Sequence, residues 1–466
     1  MLLPPADGAT ARRSVHLRLG TASALTTTTL DFAGAVPLVE VAAGFGSVRI
    51  SSSGTGRWTL ENGIVRILDL EPGARVVVSG RVDYRTAPHG LCRWTDPADD
   101  NAYVVGSGAL GGAAHFLACG DGPADRMATD LTVEGPGLVR GARSPVADGA
   151  RPSGLASHHL GLVAGPWQRR AAGGVELLSR AALDRTADLA VLAADSRRAL
   201  EWLLEWFGTD EGRAPWGTTY TQVLLPEPPW LAMEHPGCVL LSERLLDAPP
   251  GQRVSVLAHE AAHQWLGNLV SPLTWSDVGT FEGLAELLGQ LACEAIVGAS
   301  AAGDLVRRRS KDSLALPPIG VDLRTIATTA GLAEVAGPVQ HAELFRVVRS
   351  EVGADAFRER VRSFVGAHED TACAATDLWT TLGLARRWPR TVRLPALTSP
   401  EAGWQTSLSR LRDCDPATAA AAARRAFLAR PGGRRRVHQA LAALTDPATP
   451  YPVIAGLAAE LSRTRK

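Results

Sequence analysis

His259-Glu260-Ala261-Ala262-His263, followed at a distance by Glu282, decides how this chain is read. Four positions are slightly more than one helical turn, so His259 and His263 stack on one face of a helix and can grip a single ion. Glu260 lies about 100° round that helix, within reach of a water on the ion without being a ligand itself. Eighteen residues separate His263 from Glu282. Two imidazoles and one carboxylate leave a fourth position open, the donor set of a catalytic rather than a closed structural zinc site. One zinc per chain is expected, although such donors do not exclude cobalt or manganese.

The flanks of the motif set its context. Val254, Val256, Leu257, Ala258, Ala261, Ala262, Trp265 and Leu266 make the segment apolar nearly all round. The pattern predicts a core helix running from Arg253 to Val270. Two histidines and a glutamate inside such a helix are costly unless paired or metal-bound.

Extended to Gln264-Trp265-Leu266-Gly267-Asn268-Leu269-Val270-Ser271-Pro272, then Trp275, Asp277 and Glu282-Gly283-Leu284-Ala285, the segment resembles the zinc-site signature of the aminopeptidase N family of zinc metallopeptidases. Upstream, Leu231-Ala232-Met233-Glu234-His235-Pro236-Gly237 is similar to the family's Gly-Ala-Met-Glu-Asn segment. Ala118-Cys119-Gly120-Asp121-Gly122-Pro123 and Leu162-Val163-Ala164-Gly165-Pro166 are similar to two framework segments of its amino-terminal β-domain. The likeness runs from about Gly90 to about Phe364 in the family's order. It implies a gluzincin: His259, His263 and Glu282 hold zinc, Glu260 is the general base, and Glu234 binds the free α-amine of a peptide. It also implies an α+β multidomain fold: an amino-terminal β-sandwich or saddle domain over residues 1–168, a thermolysin-like, mostly helical catalytic domain over 169–372, and a short helical tail over 373–466.

Several positions depart from the family. Its oxyanion-binding Tyr is replaced by Pro338, and removing one such donor typically costs ~10²–10³ in rate. His341 stands at the family's nearby Gly position. It either supplies a donor from one turn along or is an ordinary histidine on a helix surface. The Gln and Glu expected in the β-domain strand near the site are Ser107 and Ala109. The Asn before the ligand Glu is Phe281, and the Asn after the Met-Glu pair is His235. These changes leave the ion site whole and erode its substrate apparatus.

The 466 residues suffice for two or three domains with substantial cores. Formal net charge is zero, so no global field favours nucleic acid or an anionic membrane. Arg307-Arg308-Arg309 and Arg434-Arg435-Arg436 are short and read as solvated faces or loops. Lys311 and Lys466 are the only lysines, a bias of genomic base composition. The start Met1-Leu2-Leu3-Pro4-Pro5 has no signal-peptide pattern, and no apolar run reaches the ~18 residues of a membrane span. Six cysteines without C-x-x-C spacing read as buried free thiols of a cytoplasmic protein.

Along the chain, Val15, Leu17 and Leu19 alternate as in a strand, as do Val76, Val78 and Val82. Trp58 to Ile67 reads as a hairpin around Asn62-Gly63. Ala182 to Phe207 reads as an amphipathic helix, Tyr220 to Leu225 as a strand, and Asp277 as the cap of a helix presenting Glu282. Glu286, one turn on, is either a hydrogen-bond partner of a ligand histidine or a solvated acid. The short tail, with Ala417–Leu428 and Val437–Leu444 as helices, leaves the cleft open or to be covered by a carrier or partner protein.

Three functions remain in play. The first is hydrolysis of an amide next to a free amine, on a peptide or a small amine-bearing amide. The second is a tailoring amide or ester hydrolase acting on a small metabolite or carrier-bound intermediate. The third is a catalytically impaired relative that binds through the old cleft.

Overall fold

The computed structural model describes residues 11–53, 57–85, 90–109, 112–120, 122–135, 154–217, 219–228, 230–275, 277–305, 342, 345, 346, 348, 349 and 352–383. Pro338, His341, the arginine triplets, Cys414 and the expected tail helices lie outside the described residues.

The first part of the chain is built of twelve described strands: β1 (Ala11–Leu19), β2 (Ser23–Phe32), β3 (Val36–Ala42), β4 (Gly46–Ser53), β5 (Arg57–Glu61), β6 (Ile64–Leu70), β7 (Arg75–Asp83), β8 (Gly90–Thr95), β9 (Ala102–Ser107), β10 (Arg126–Glu134), β11 (Leu155–Ala156) and β12 (Gly161–Ala164). They form a six-stranded sheet in the order β11-β10-β1-β2-β7-β4 and two three-stranded sheets, β3-β6-β5 and β12-β9-β8. The period-two pattern explains the core. Val15, Leu17 and Leu19 of β1 and Val76, Val78 and Val82 of β7 are all buried in one cluster. Asn62 and Gly63 both have positive φ, the geometry of a tight hairpin turn between β5 and β6.

Arg13 occupies an inward position of β1 and is wholly buried. Its guanidinium donates to Asp125 (3.2 Å), Ser157 (2.6 Å), Thr129 (2.9 and 3.1 Å) and the Leu155 carbonyl (3.5 Å). A buried cation is tolerable only with such complete pairing.

The second part opens with β13 (Gln168–Ala172) and β14 (Val175–Ser179), followed by helix α1 (Thr186–Phe207) and strands β15 (Tyr220–Leu225), β16 (Ala232–Met233) and β17 (Cys238–Ser242). These strands make one sheet in the order β13-β14-β15-β17-β16. β14, β15 and β17 run parallel, with α1 as the crossover between β14 and β15. Helices α2 (Pro250–Ala262) and α3 (Val278–Ile296) pack with α1 in the largest core cluster. Strand β18 (Ser271–Pro272) pairs with β19 (Ala372–Cys373), and helices α4 (Ala354–Ala367) and α5 (Ala375–Thr381) join that same core through Phe364, Leu378 and Trp379. The described fold is therefore α+β, with mixed sheets and helices.

Three expectations need correction. α1 begins at Thr186, because residues before it turn, with Leu183 N–H bonded to the Arg180 carbonyl. Arg180 is drawn aside by Asp96 (2.8 Å) and Glu243 (2.7 and 3.0 Å), where the two parts of the chain meet. α2 ends at Ala262 rather than running to Val270. Its hydrogen bonds tighten to three residues at Gln264 and Trp265, then widen to five at Asn268, Leu269 and Val270. Asp277 stands at the start of α3 but does not cap it with its side chain. Its carboxylate instead accepts from the Thr274 N–H and hydroxyl and from the Ala375 N–H, tying α3 to α5.

Candidate metal centre

α2 delivers His259 in its last turn and His263 at its carboxy-terminal cap. The two Nε2 atoms are 3.0 Å apart, and each lies 3.5 Å from Glu282 Oε2 on α3. α3 comes this close because Gly289 faces α2: a Cβ there would stand 2.6 Å from the Ser255 carbonyl oxygen and 3.3 Å from His259 Cβ. Residue 289 is one place where a side chain would push the carboxylates off the histidines.

The donor set fits zinc on its chemistry and spacing. Bonds of ~2.0–2.1 Å in a tetrahedral array separate ligand atoms by about 3.3 Å, close to the 3.0–3.5 Å found here. Among the described residues, His259, His263 and Glu282 are the group of donors able to share one ion. His263 Nδ1–H donates to the Leu266 carbonyl at 2.8 Å, which leaves the Nε2 lone pair directed at its neighbours. His259 Nδ1 lies 3.5 Å from Glu286, whose side chain is fully buried. Gln290 donates to Glu286 at 2.8 Å, and Arg346 donates to Gln290. Of the two readings of Glu286, the solvated acid is excluded by this burial.

Four carboxylates, Glu234, Glu260, Glu282 and Glu286, crowd two imidazoles here. Burial, reinforced by Glu234 and Glu282 and opposed by the two histidines, pushes Glu260 up to about 7. Burial likewise raises Glu234. Glu282 goes the other way: burial opposes its charge, but the imidazoles of His263 and His259 outweigh it and hold the carboxyl well below its usual range. His263 is lifted to about 9, burial being overcome by the Glu282 carboxylate. Protons and a divalent cation compete for such donors. Glu260 is buried, and its Oε2 has no hydrogen-bond partner among the described residues.

Glu234 follows β16, the edge strand of the five-stranded sheet, and is half-buried. Its backbone carbonyl accepts from Asn268 Nδ2 at 3.2 Å, and the Gly237 N–H donates to Gln264 Oε1 at 2.8 Å. The structure thus brings His259, Glu260, His263, Glu282 and Glu234 into one neighbourhood, while His341 lies outside the described residues. Phe281 is buried against Phe364 at 6.5 Å. Ser107 and Ala109 are both buried. Sequence reasoning missed the parts played by Gln264, Asn268, Gln290 and Arg346. The signal for Gln264 and Asn268 was available, since polar side chains beside an apolar core helix need partners. Arg126 gave no signal: it reaches from β10 to the Asn268 carbonyl (2.9 Å), Ser271 (2.5 Å) and Asp370 (3.4 Å).

No helix among the described residues is long and apolar enough to cross a membrane.

Residues 196–393 match the Peptidase family M1 domain. The chain is 29% identical to aminopeptidase N of Rattus norvegicus over 196 residues, 38% of this chain and 20% of the relative. It is 29% identical to aminopeptidase M1-B of Oryza sativa subsp. japonica over 165 residues, 32% of this chain and 19% of the relative. To aminopeptidase N of Streptomyces lividans it is 26% identical over 249 residues, 48% of this chain and 28% of the relative. The matched stretch thus spans between about a fifth and three tenths of these relatives' length. The M1-domain match covers the segment that carries Glu234, both histidines and Glu282, and through it the chain is similar to the aminopeptidase N family.

Proposed function

We propose that this chain is a zinc-dependent hydrolase that cleaves an amide bond next to a free amino terminus. The observation that carries the reading is the convergence of His259, His263 and Glu282 at 3.0–3.5 Å beside a buried Glu260 oxygen with no hydrogen-bond partner among the described residues. Those three residues would hold the ion, with Glu286 orienting His259. Bound zinc supplies Lewis acidity, polarising the scissile carbonyl and acidifying water. Glu260 is pushed towards the pKa that a proton shuttle near neutrality needs. Its Oε2 takes the proton of the attacking water and passes it to the leaving amine. Glu234, at the sheet edge, faces the substrate's ammonium, whose charge offsets the crowding of carboxylates. The enclosing core excludes water from the apolar side of the site.

The division at 168/169 and 372/373 belongs to the same proposal, as does cytoplasmic residence. Cys92, Cys293 and Cys373 are free and buried, the state expected in a reducing compartment.

The test is turnover of a panel of aminoacyl anilides by zinc-loaded protein, against the same anilides acetylated on nitrogen. Cleavage of the free-amine set, lost in Glu260→Gln at unchanged zinc content, supports the reading. Equal turnover by wild type and Glu260→Gln overturns it.

A further inference from the structure

His235 and Ser107, 128 positions apart, each stand where the family carries a different residue, and in the fold they touch. The His235 ring is buried, with Nδ1 3.1 Å from the His159 carbonyl and Nε2 3.1 Å from Ser107 Oγ. A carbonyl only accepts, so Nδ1 carries the proton and donates. Nε2 is then a lone pair, and the Ser107 hydroxyl donates to it. Burial pushes the ring down to about 4, with the His159 bond opposing, so the imidazole stays neutral near pH 7. The ring also needs a bare backbone beside it: a Cβ on Gly161 would stand 2.6 Å from His235 Cγ.

We propose that His235 is a positioning residue: clamped between Ser107 and the His159 carbonyl, it sets the backbone that carries Glu234 towards the metal centre. This deepens the proposed function and rests on its assignment of Glu234 to the substrate's amine. The clamp holds the segment from the β side, while Gln264 and Asn268 hold it from the end of α2. Ser107, 1% exposed and with its one hydroxyl proton given to His235, serves the scaffold rather than the substrate. Amine recognition therefore depends on where one backbone segment is held, not on a second contact from β9.

The test compares His235→Ala, which loses both bonds, with His235→Asn and His235→Gln, which retain an amide near one ring nitrogen each, and with Ser107→Ala. Each protein is zinc-loaded and assayed on aminoacyl anilides, with metal content, melting temperature and hydrogen exchange of the Gly237 and Cys238 amides read alongside. Losing two hydrogen bonds predicts a KM raised about tenfold in His235→Ala with kcat within about twofold. The same variant should exchange the Gly237 amide about tenfold faster, while amides of residues 254–259 and zinc content stay as in wild type. His235→Asn, His235→Gln and Ser107→Ala should fall between. Unchanged KM and exchange overturn the proposal. So does a joint fall of kcat, zinc content and melting temperature at constant KM, which marks a merely structural histidine. Should wild type cleave no free-amine anilide, the proposed function fails on its own, and the exchange measurement still decides whether His235 holds the segment.

Discussion

Two buried charged sites in this molecule are built on opposite plans. In the β part, Arg13 is enclosed by Asp125, Thr129, Ser157 and the Leu155 carbonyl, and each terminal nitrogen has a partner. In the helical part, four carboxylates surround two histidines, and Glu260 keeps an oxygen with no partner among the described residues. A fully paired charge holds strands together. A surplus of one sign with an unpaired atom stores electrostatic work that only a cation, a water or a substrate relieves. The contrast separates architecture from chemistry without reference to any relative.

The sharpest way to break this comparison is to remove the unpaired group. Glu260→Gln should cost on the order of 10²–10⁴-fold in kcat, with zinc content and melting temperature near those of wild type. Anilide kinetics and metal analysis read both quantities. A large loss of stability instead would mean that Glu260 is structural after all.

The converse applies to the paired site. Arg13→Ala leaves Asp125 buried without its cation and should destabilise the protein by about 3–5 kcal/mol. Denaturant unfolding measures this, and kcat per folded, zinc-loaded molecule should stay the same.

Glu286→Ala sharpens the comparison within the helical part. The substitution removes the carboxylate beside His259 Nδ1 and should weaken zinc binding by roughly 10–100-fold. Competition with a chromophoric chelator gives the value directly. Zinc affinity unchanged would show that His259 is oriented by packing alone.

The smallest effect is expected where the two parts meet. The Arg180 hydrogen bond, ahead of burial that opposes it, holds the Asp96 carboxyl below its ordinary 3.8. A carboxyl depressed in the folded state contributes stability above its unfolded pKa and loses it as pH falls through the folded value. Melting of wild type against Asp96→Asn should therefore differ at pH 6–7 and begin to converge only as the pH falls below the ordinary 3.8. A difference that persists in acid would mean that the contact acts by shape rather than charge.

Much of this was legible in the residues because it depends on short spacings. The Asn62-Gly63 turn, the alternation of Val15, Leu17 and Leu19, and the four-residue step from His259 to His263 follow from local geometry. The end of α2 was not legible, because Trp265 and Leu266 continue the apolar pattern while the backbone changes its hydrogen bonding for tertiary reasons. Asp277 looked like a helix cap, but its carboxylate is claimed by Thr274 and by Ala375, the latter 98 positions away. The contact of His235 with Ser107 had no local sign at all: two apparent losses turned out to be one pair.

What the chain's own order of residues determined is the kind of chemistry: which donors exist, their steps along two helices, and which strands alternate. Only the tertiary structure decided which of those donors meet, that Glu286 is buried, and what His235 grips. The reason is physical. Periodicity sets the face on which a side chain points, whereas long-range contacts depend on how faces pack, and packing is a property of the whole core.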